Sequence, residues 1–144
     1  MKIIEIHTLT PSQTADLLDL MHELAPAIAV TGEMLERAAE APGTHLFAAV
    51  GGDGRILGCA SLCVFDSPTG RKASVEDVVV SSDARRQGIG RALMDHIIGY
   101  ALRELAPIDL HLTSRPERVA ANEMYKRMGF EKRVTNVYRM LLSR

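Results

Sequence analysis

The sequence has no excess of either charge. Seventeen Lys and Arg against eighteen Asp and Glu leave a formal net charge of −1, whereas a general nucleic-acid binder usually carries a basic excess. No apolar run approaches the length of a membrane span, and Met1-Lys2-Ile3-Ile4-Glu5 lacks a signal-peptide pattern. The chain is therefore expected to work away from nucleic acid and membrane, in the cytoplasm. Only two cysteines are present, Cys59 and Cys63. On one strand they would stand about 13 Å apart, at about 3.3 Å per residue, too far for a disulfide. Both are read as reduced thiols. The five histidines, His7, His22, His45, His96 and His111, fall at no metal-ligand spacing, so no metal is expected. Repeats, low-complexity runs and linkers are absent too.

What is there fits one domain spanning 1–144, with 47% apolar and 24% charged residues, enough to build a core without staples. The most informative stretch runs from Val75 to Leu93. Val75 and Val78 to Val80 favour a strand, because branching at Cβ suits a pleated surface, and three valines in a row point to cover on both faces. A polar turn follows, then Arg85-Arg86-Gln87-Gly88-Ile89-Gly90-Arg91 at the mouth of a helix. Glycines let their amides approach an anion closely, and a helix start adds unpaired N–H groups and the positive end of its dipole. The stretch therefore predicts a phosphate site. Two familiar phosphate loops fail on spacing. Gly90-Arg91-Ala92 lacks the Lys-Ser/Thr of a P-loop, and Leu93 stands where the dinucleotide fingerprint needs its third glycine.

In chain order, Lys2 to His7 reads as a strand, and Thr10-Pro11 opens a helix as cap and first helical position. Pro26 ends that helix, and a shorter one is expected over Thr31 to Ala41. Leu46 to Val50, Ile56 to Phe65 and the valine strand follow as antiparallel neighbours joined by Gly51–Gly54 and Asp66–Gly70. The helix after the loop presents Ile89, Leu93, Ile97 and Ala101 to the sheet, with Met94 and Leu102 widening the stripe. Ile108 to Thr113 alternates as a strand, and the strand–helix–strand crossover makes it parallel to the valine strand. Ser114 and Glu117 have capping-box spacing for another helix, which Gly129 and Phe130 would close with a Schellman turn. Glu131 to Arg133 and Asn136 to Leu142 are expected to be strands. The order is β-α-α-β-β-β-α-β-α-β-β, an α+β fold with a mixed, mostly antiparallel sheet of about seven strands and four helices.

Arg85-x-x-Gly88-x-Gly90 behind a valine strand resembles the acyl-CoA pyrophosphate loop of the GNAT superfamily of N-acetyltransferases. A second segment, Asn122-x-x-Tyr125-x-x-x-Gly129-Phe130, is similar to another stretch of the same family and lies about thirty residues further on, where the family has it. The predicted element order resembles that family as well. The resemblance implies acetyl transfer from acetyl-CoA to a primary amine, through a ternary complex.

The resemblance also implies roles. The valine strand, through Val78, Val79 and Val80, would hold the pantetheine as an added strand, with the Val78 amide as oxyanion donor. Arg85, Arg86, Gln87, Gly88, Ile89, Gly90 and Arg91 would cradle the pyrophosphate, and Asn122 would bind the pantetheine or phosphate region. Tyr125 would be the acid toward the CoA sulfur, though its helical spacing also fits a core stripe. Glu76, a carboxylate inside the valine strand, would be the base, directly or through water; its other reading is a pair with Arg71 or Lys72. Strand alternation would turn Asp77 to the opposite face.

Arg115 and Arg118 are candidates for the 3′-phosphate or an acidic acceptor. His111 reads as a core histidine, with proton transfer as its second reading, and Tyr138 as core or acceptor-site lining. Leu24 to Ala41 is either an acceptor flap, with Pro26, Ile28, Val30 and Met34 as its rim, or a helical pair packed on the sheet. The last strands, Val134 to Leu142, would form a homodimer. The other reading of the whole chain is a non-catalytic acyl-CoA-binding sensor or interaction module. The acceptor amine stays open.

Overall fold

Five strands make one open sheet in the computed structural model, which describes residues 1–143. They are β1 (Lys2–Ile6), β2 (Thr44–Val50), β3 (Ile56–Ser67), β4 (Gly70–Val80) and β5 (Asp109–His111), in the spatial order β1-β2-β3-β4-β5. The first four are antiparallel neighbours, while β5 runs parallel to β4. Four α-helices accompany them: α1 (Pro11–Leu24), α2 (Gly32–Glu40), α3 (Ile89–Tyr100) and α4 (Val119–Arg127). A 3-10 turn over Ser82–Ala84 links β4 to α3, and α3 continues as a π-helical turn over Ala101–Leu105. The chain divides into two compact units, Met1–Leu112 and Thr113–Arg144.

In the first unit, α1 starts as the sequence predicts. The Thr10 hydroxyl accepts from the Gln13 amide at 3.2 Å, and the Gln13 side chain accepts from the Thr10 amide at 3.0 Å. That reciprocal box satisfies two donors that a helix start leaves free. Thr31 caps α2 in the same way, accepting from Met34 N–H at 3.2 Å. Leu17 and Leu20 of α1, Leu35 and Ala39 of α2, and Cys59 and Val79 of the sheet form one buried cluster. Each such large aliphatic side chain contributes roughly 1.5–3 kcal/mol by leaving water.

The opposite face follows from alternation. Phe47 lies between Leu46 and Ala48 of that cluster and so points the other way. There its ring meets His96 and Tyr100 of α3 edge-on, at centroid distances of 5.0 and 5.6 Å. Ile89, Leu93, Met94 and Ile97 are the buried stripe of α3, and Leu102 beyond it is exposed. Helix α3 reaches the sheet closely because Gly58 has no side chain. A Cβ there would stand 2.9 Å from the Val79 carbonyl oxygen and 3.3 Å from the Ile89 side chain. The valine strand is thus covered on both faces, as its lack of alternation predicts.

The second unit contains α4, and its C-terminus is the expected Schellman turn. Gly129 takes a left-handed φ of 102°, its amide donates to the Lys126 carbonyl, and the Phe130 amide donates to the Tyr125 carbonyl at 3.0 Å. The N-terminus differs from expectation. The helix begins at Val119 with Arg118 at the cap position and no side-chain cap bond. Residues 115–119 form a turn in which the Arg118 amide donates to the Arg115 carbonyl at 3.1 Å. Glu117 is therefore not at a third helical position, no capping box closes, and the buried Ser114 hydroxyl has no partner among the described residues.

The two expected final strands are not formed. Glu131 to Arg133 and Asn136 to Leu142 carry no strand pairing, so the described sheet has five strands rather than seven. Alternating apolar residues make a strand only where a neighbouring ladder pairs their backbone. Here Val134, Val137, Tyr138, Met140, Leu141 and Leu142 are all exposed.

Candidate functional site

The first candidate region is the end of β4. From Lys72 to Ser74 it pairs with Asp109 to His111, and beyond Ser74 no β5 residue accompanies it. Val75 to Val80 therefore run on with a neighbour on the β3 side only. On that side Cys59 faces Val79 and Ser61 faces Glu76, so Asp77 and Val78 together oppose the single residue Ala60. This is a β-bulge, and Asp77 stands in it with left-handed backbone, at φ 54°. Asp is among the few side chains that tolerate that region.

The bulge falls after Glu76, which keeps its register with Ser61. The Asp77 carboxyl lies close enough to Glu76 to be affected by its charge. Partial burial of the carboxyl first, and that neighbouring charge second, hold Asp77 above the usual carboxylate range, although the residue as a whole is exposed. Glu76 itself is exposed and accepts from the Ser74 hydroxyl at 2.6 Å. It does not pair with Arg71 or Lys72. Lys72 donates instead to the Ser67 and Thr69 hydroxyls, and Arg71 approaches Asp66 at 3.9 Å. Cys59, behind the bulge, is buried, and its thiol is pushed up to about 12 by that burial and then by Asp77. Both cysteines are free thiols.

The loop follows directly. Arg85, Arg86, Gln87 and Gly88 are exposed, Ile89 is buried as the anchor of α3, and Gly90 is half-buried. Arg86 and Gly88 both take left-handed backbone, at φ 64° and 75°. Gly88 is the N-cap of α3, so no side chain there caps the helix, and its first turn holds no acidic residue. The amides of that turn are consequently left to an outside acceptor. Arg85 donates through Nε to the Val80 carbonyl at 3.4 Å, and Arg91 pairs with Asp95 one turn along at 3.3 Å. Uncapped amides, a left-handed glycine and three exposed guanidiniums suit a pyrophosphate, the chemistry expected from the sequence.

In the second unit, Asn122 and Tyr125 share a face of α4. The Asn122 side-chain amide donates to the Arg115 carbonyl at 3.0 Å and so ties α4 to the turn before it. Tyr125 is buried, its ring edge-on to Phe130 at 6.0 Å between centroids, and burial raises its phenol while Arg118 opposes that shift more weakly. Arg115 and Arg118 are exposed.

Two lesser expectations are corrected. His111 is exposed, because three-residue β5 lies at the sheet edge, and is not a core histidine. Tyr138 is exposed and belongs to no core. Within Leu24 to Ala41, Leu35 and Ala39 of α2 are buried in the core cluster, as a helical pair packed on the sheet requires, while Ile28 and Met34 are exposed.

Sequence reasoning missed several residues beside the loop. Glu23 accepts from the Ser82 amide and hydroxyl, each at 3.0 Å, and Arg55 pairs with Asp83 at 3.0 Å. No spacing signal could have found contacts between residues so distant in the chain. Among the described residues, no helix is long and apolar enough to cross a membrane.

The family model described as the acetyltransferase (GNAT) family matches residues 13–130. Streptothricin acetyltransferase of Streptomyces lavendulae is 36% identical over 87 residues, which are 60% of this chain and 44% of that protein. The match thus spans less than half of that relative's length. An acetyltransferase-family structure from Agrobacterium tumefaciens str. C58 superimposes with a TM-score of 0.83 at 22% identity, covering 98% of this chain and all of the other. A ribosomal-protein-alanine N-acetyltransferase from Brucella melitensis biovar Abortus 2308 does so with a TM-score of 0.76 at 20% identity, over 97% and 100% of the two chains. The one open mixed sheet with four helices is the GNAT fold, and the chain belongs to the GNAT acetyltransferase family.

Proposed function

We propose that this protein transfers an acetyl group from acetyl-CoA to a primary amine, with residues 1–144 acting as one domain. The observation that carries the reading is the uncapped start of α3. A left-handed Gly88, no acidic residue in the first turn, and Arg85, Arg86 and Arg91 nearby make an anion cradle at the end of a bulged strand.

When bound, acetyl-CoA supplies an activated acyl carbonyl and a thiolate leaving group. The chain's residues do the rest. Amides from Arg86 to Arg91 hold the pyrophosphate, and Val78 to Val80, unpaired with β5, hold the pantetheine by strand addition. The Val78 amide donates to the developing oxyanion. Glu76 takes the proton of the attacking amine, directly or through water. An ordinary alkyl amine has a pKa of about 10.4 and must lose that proton before it can attack. Tyr125, whose phenol burial keeps protonated, donates to the departing sulfur. Asn122 serves the pantetheine or phosphate region.

Streptothricin is the first acceptor to test, because a relative sharing 36% identity is named for it. We further propose a homodimer built on Val134 to Leu142, where six apolar side chains are exposed. The test of the activity is release of free CoA from acetyl-CoA against streptothricin and a panel of amines, amino acids and peptides, with a thermal shift alongside. Amine-dependent release is expected. Stabilisation without release from any acceptor would favour a binding module over an enzyme.

A further inference from the structure

The 3-10 turn Ser82–Ala84 leads from β4 into the loop, and its start is short of a cap. Ser81 stands at the cap position but makes no side-chain cap bond; its hydroxyl donates to Asp83 at 2.6 Å. The first amide of the turn, on Ser82, has no partner within the turn, as at any helix start. The missing acceptor comes from the last turn of α1. Glu23 Oε2 accepts from the Ser82 amide and Oε1 from the Ser82 hydroxyl, each at 3.0 Å. The same Oε2 lies 3.9 Å from the Arg85 guanidinium.

Seven residues earlier on α1, Asp16 makes a bond of the same kind, accepting from the Ile56 amide at 3.0 Å. Two carboxylates seven apart share a helix face. Both line a cleft of about 310 Å³, with Asp19, Arg55, Ser82 and Asp83. The cleft's carboxylates are mostly engaged by these bonds. Asp16 ties α1 to the start of β3, whereas Glu23 ties it to the root of the loop.

We infer that Glu23 is a positioning residue for the acyl-donor loop, capping from α1 the turn that delivers Arg85 to Gly90. The inference rests on the reading of that loop as the acetyl-CoA pyrophosphate site. A loop whose root is fixed loses less freedom when it closes on a ligand, so the cap acts on donor binding and not on the chemical step. The carboxylate also offers Arg85 a partner while no phosphate is present.

The experiment compares Glu23→Ala, Glu23→Gln and Asp16→Ala in steady-state kinetics with acetyl-CoA, and in amide hydrogen exchange of the protein without ligand. Glu23→Ala should raise KM for acetyl-CoA about tenfold, the size of one hydrogen bond to a charged group, with kcat within about twofold. Exchange at Ser82 to Arg86 should rise with it. Glu23→Gln, which keeps an acceptor and gains a donor, should return KM to within about threefold of the parent. Asp16→Ala removes the equivalent bond elsewhere and should leave KM within about twofold.

An unchanged KM in Glu23→Ala, a fall in kcat matching the rise in KM, or an equal effect of Asp16→Ala would each overturn the role. Should Glu23→Ala not fold, Ser82→Ala removes one of the carboxylate's two donors and should raise KM about threefold; no change there would overturn the role as well. A parent protein that binds no acetyl-CoA would instead sink the donor-site reading and the positioning role with it. Exchange at Ser82 would then still report whether Glu23 caps the turn.

Discussion

The Phe130 amide donates to the Tyr125 carbonyl at 3.0 Å, and the two rings meet edge to face with centroids 6.0 Å apart. The turn that ends α4 therefore also fixes the ring of the proposed acid. Phenylalanine at 125 would keep that packing and lose only the hydroxyl. Tyr125→Phe should retain acetyl-CoA affinity and lose about ten- to a thousandfold in kcat, the range for loss of a general acid. Parallel titration and turnover measurements check it, and unchanged turnover would remove Tyr125 from the chemistry.

Asp77 gives a pH-dependent signature. Burial and the charge of Glu76 raise its carboxyl in the folded state. The folded protein thus holds this proton more tightly than the unfolded chain. That contribution to stability is fully present below the ordinary aspartate value of about 3.9 and is lost as pH rises through the raised folded value. Asp77→Asn removes the charge and still tolerates the left-handed backbone. Its melting temperature should exceed the parent's at pH 7, and the gap should close below about pH 4. A lower melting temperature at pH 7 would show that the charged carboxylate stabilises the bulge.

Gly58 tests the packing of α3 behind the loop. Its Cβ would meet the Val79 carbonyl oxygen at 2.9 Å, and backbone cannot swing aside as a long side chain can. Gly58→Ala should cost about 1–3 kcal/mol in chemical denaturation. Gly52 is the control, since nothing stands within 4 Å of a Cβ there. Equal effects at the two positions would contradict the close approach.

The exposed apolar side chains from Val134 to Leu142 predict self-association. Light scattering on the eluting protein should give twice the monomer mass, and Val137→Lys with Leu141→Lys should return it to one. A monomeric parent at micromolar concentration would refute the dimer.

The parts of the fold legible in the sequence were those set by neighbours in the chain. Thr10-Pro11 and Gly129-Phe130 mark helix ends because caps are local chemistry, and Gly88 with its arginines marks the loop for the same reason. Val134 to Leu142 has the composition of a strand, but a strand needs a partner that composition does not name. Ser114 and Glu117 have the spacing of a capping box, yet the intervening turn starts α4 later. The bulge at Asp77 and Val78 left no mark, because it is set by the register with β3. Glu23 left no mark at all, since the turn it caps lies 59 residues away.

The most direct test is a calorimetric titration of acetyl-CoA into the parent protein and into Arg85→Ala/Arg86→Ala. The parent should bind one acetyl-CoA per chain, and the double variant should bind at least about tenfold more weakly, since charge-assisted bonds to phosphate are among the stronger ones. No binding by the parent, or equal affinity in the variant, would contradict the assignment of this loop to the acyl donor.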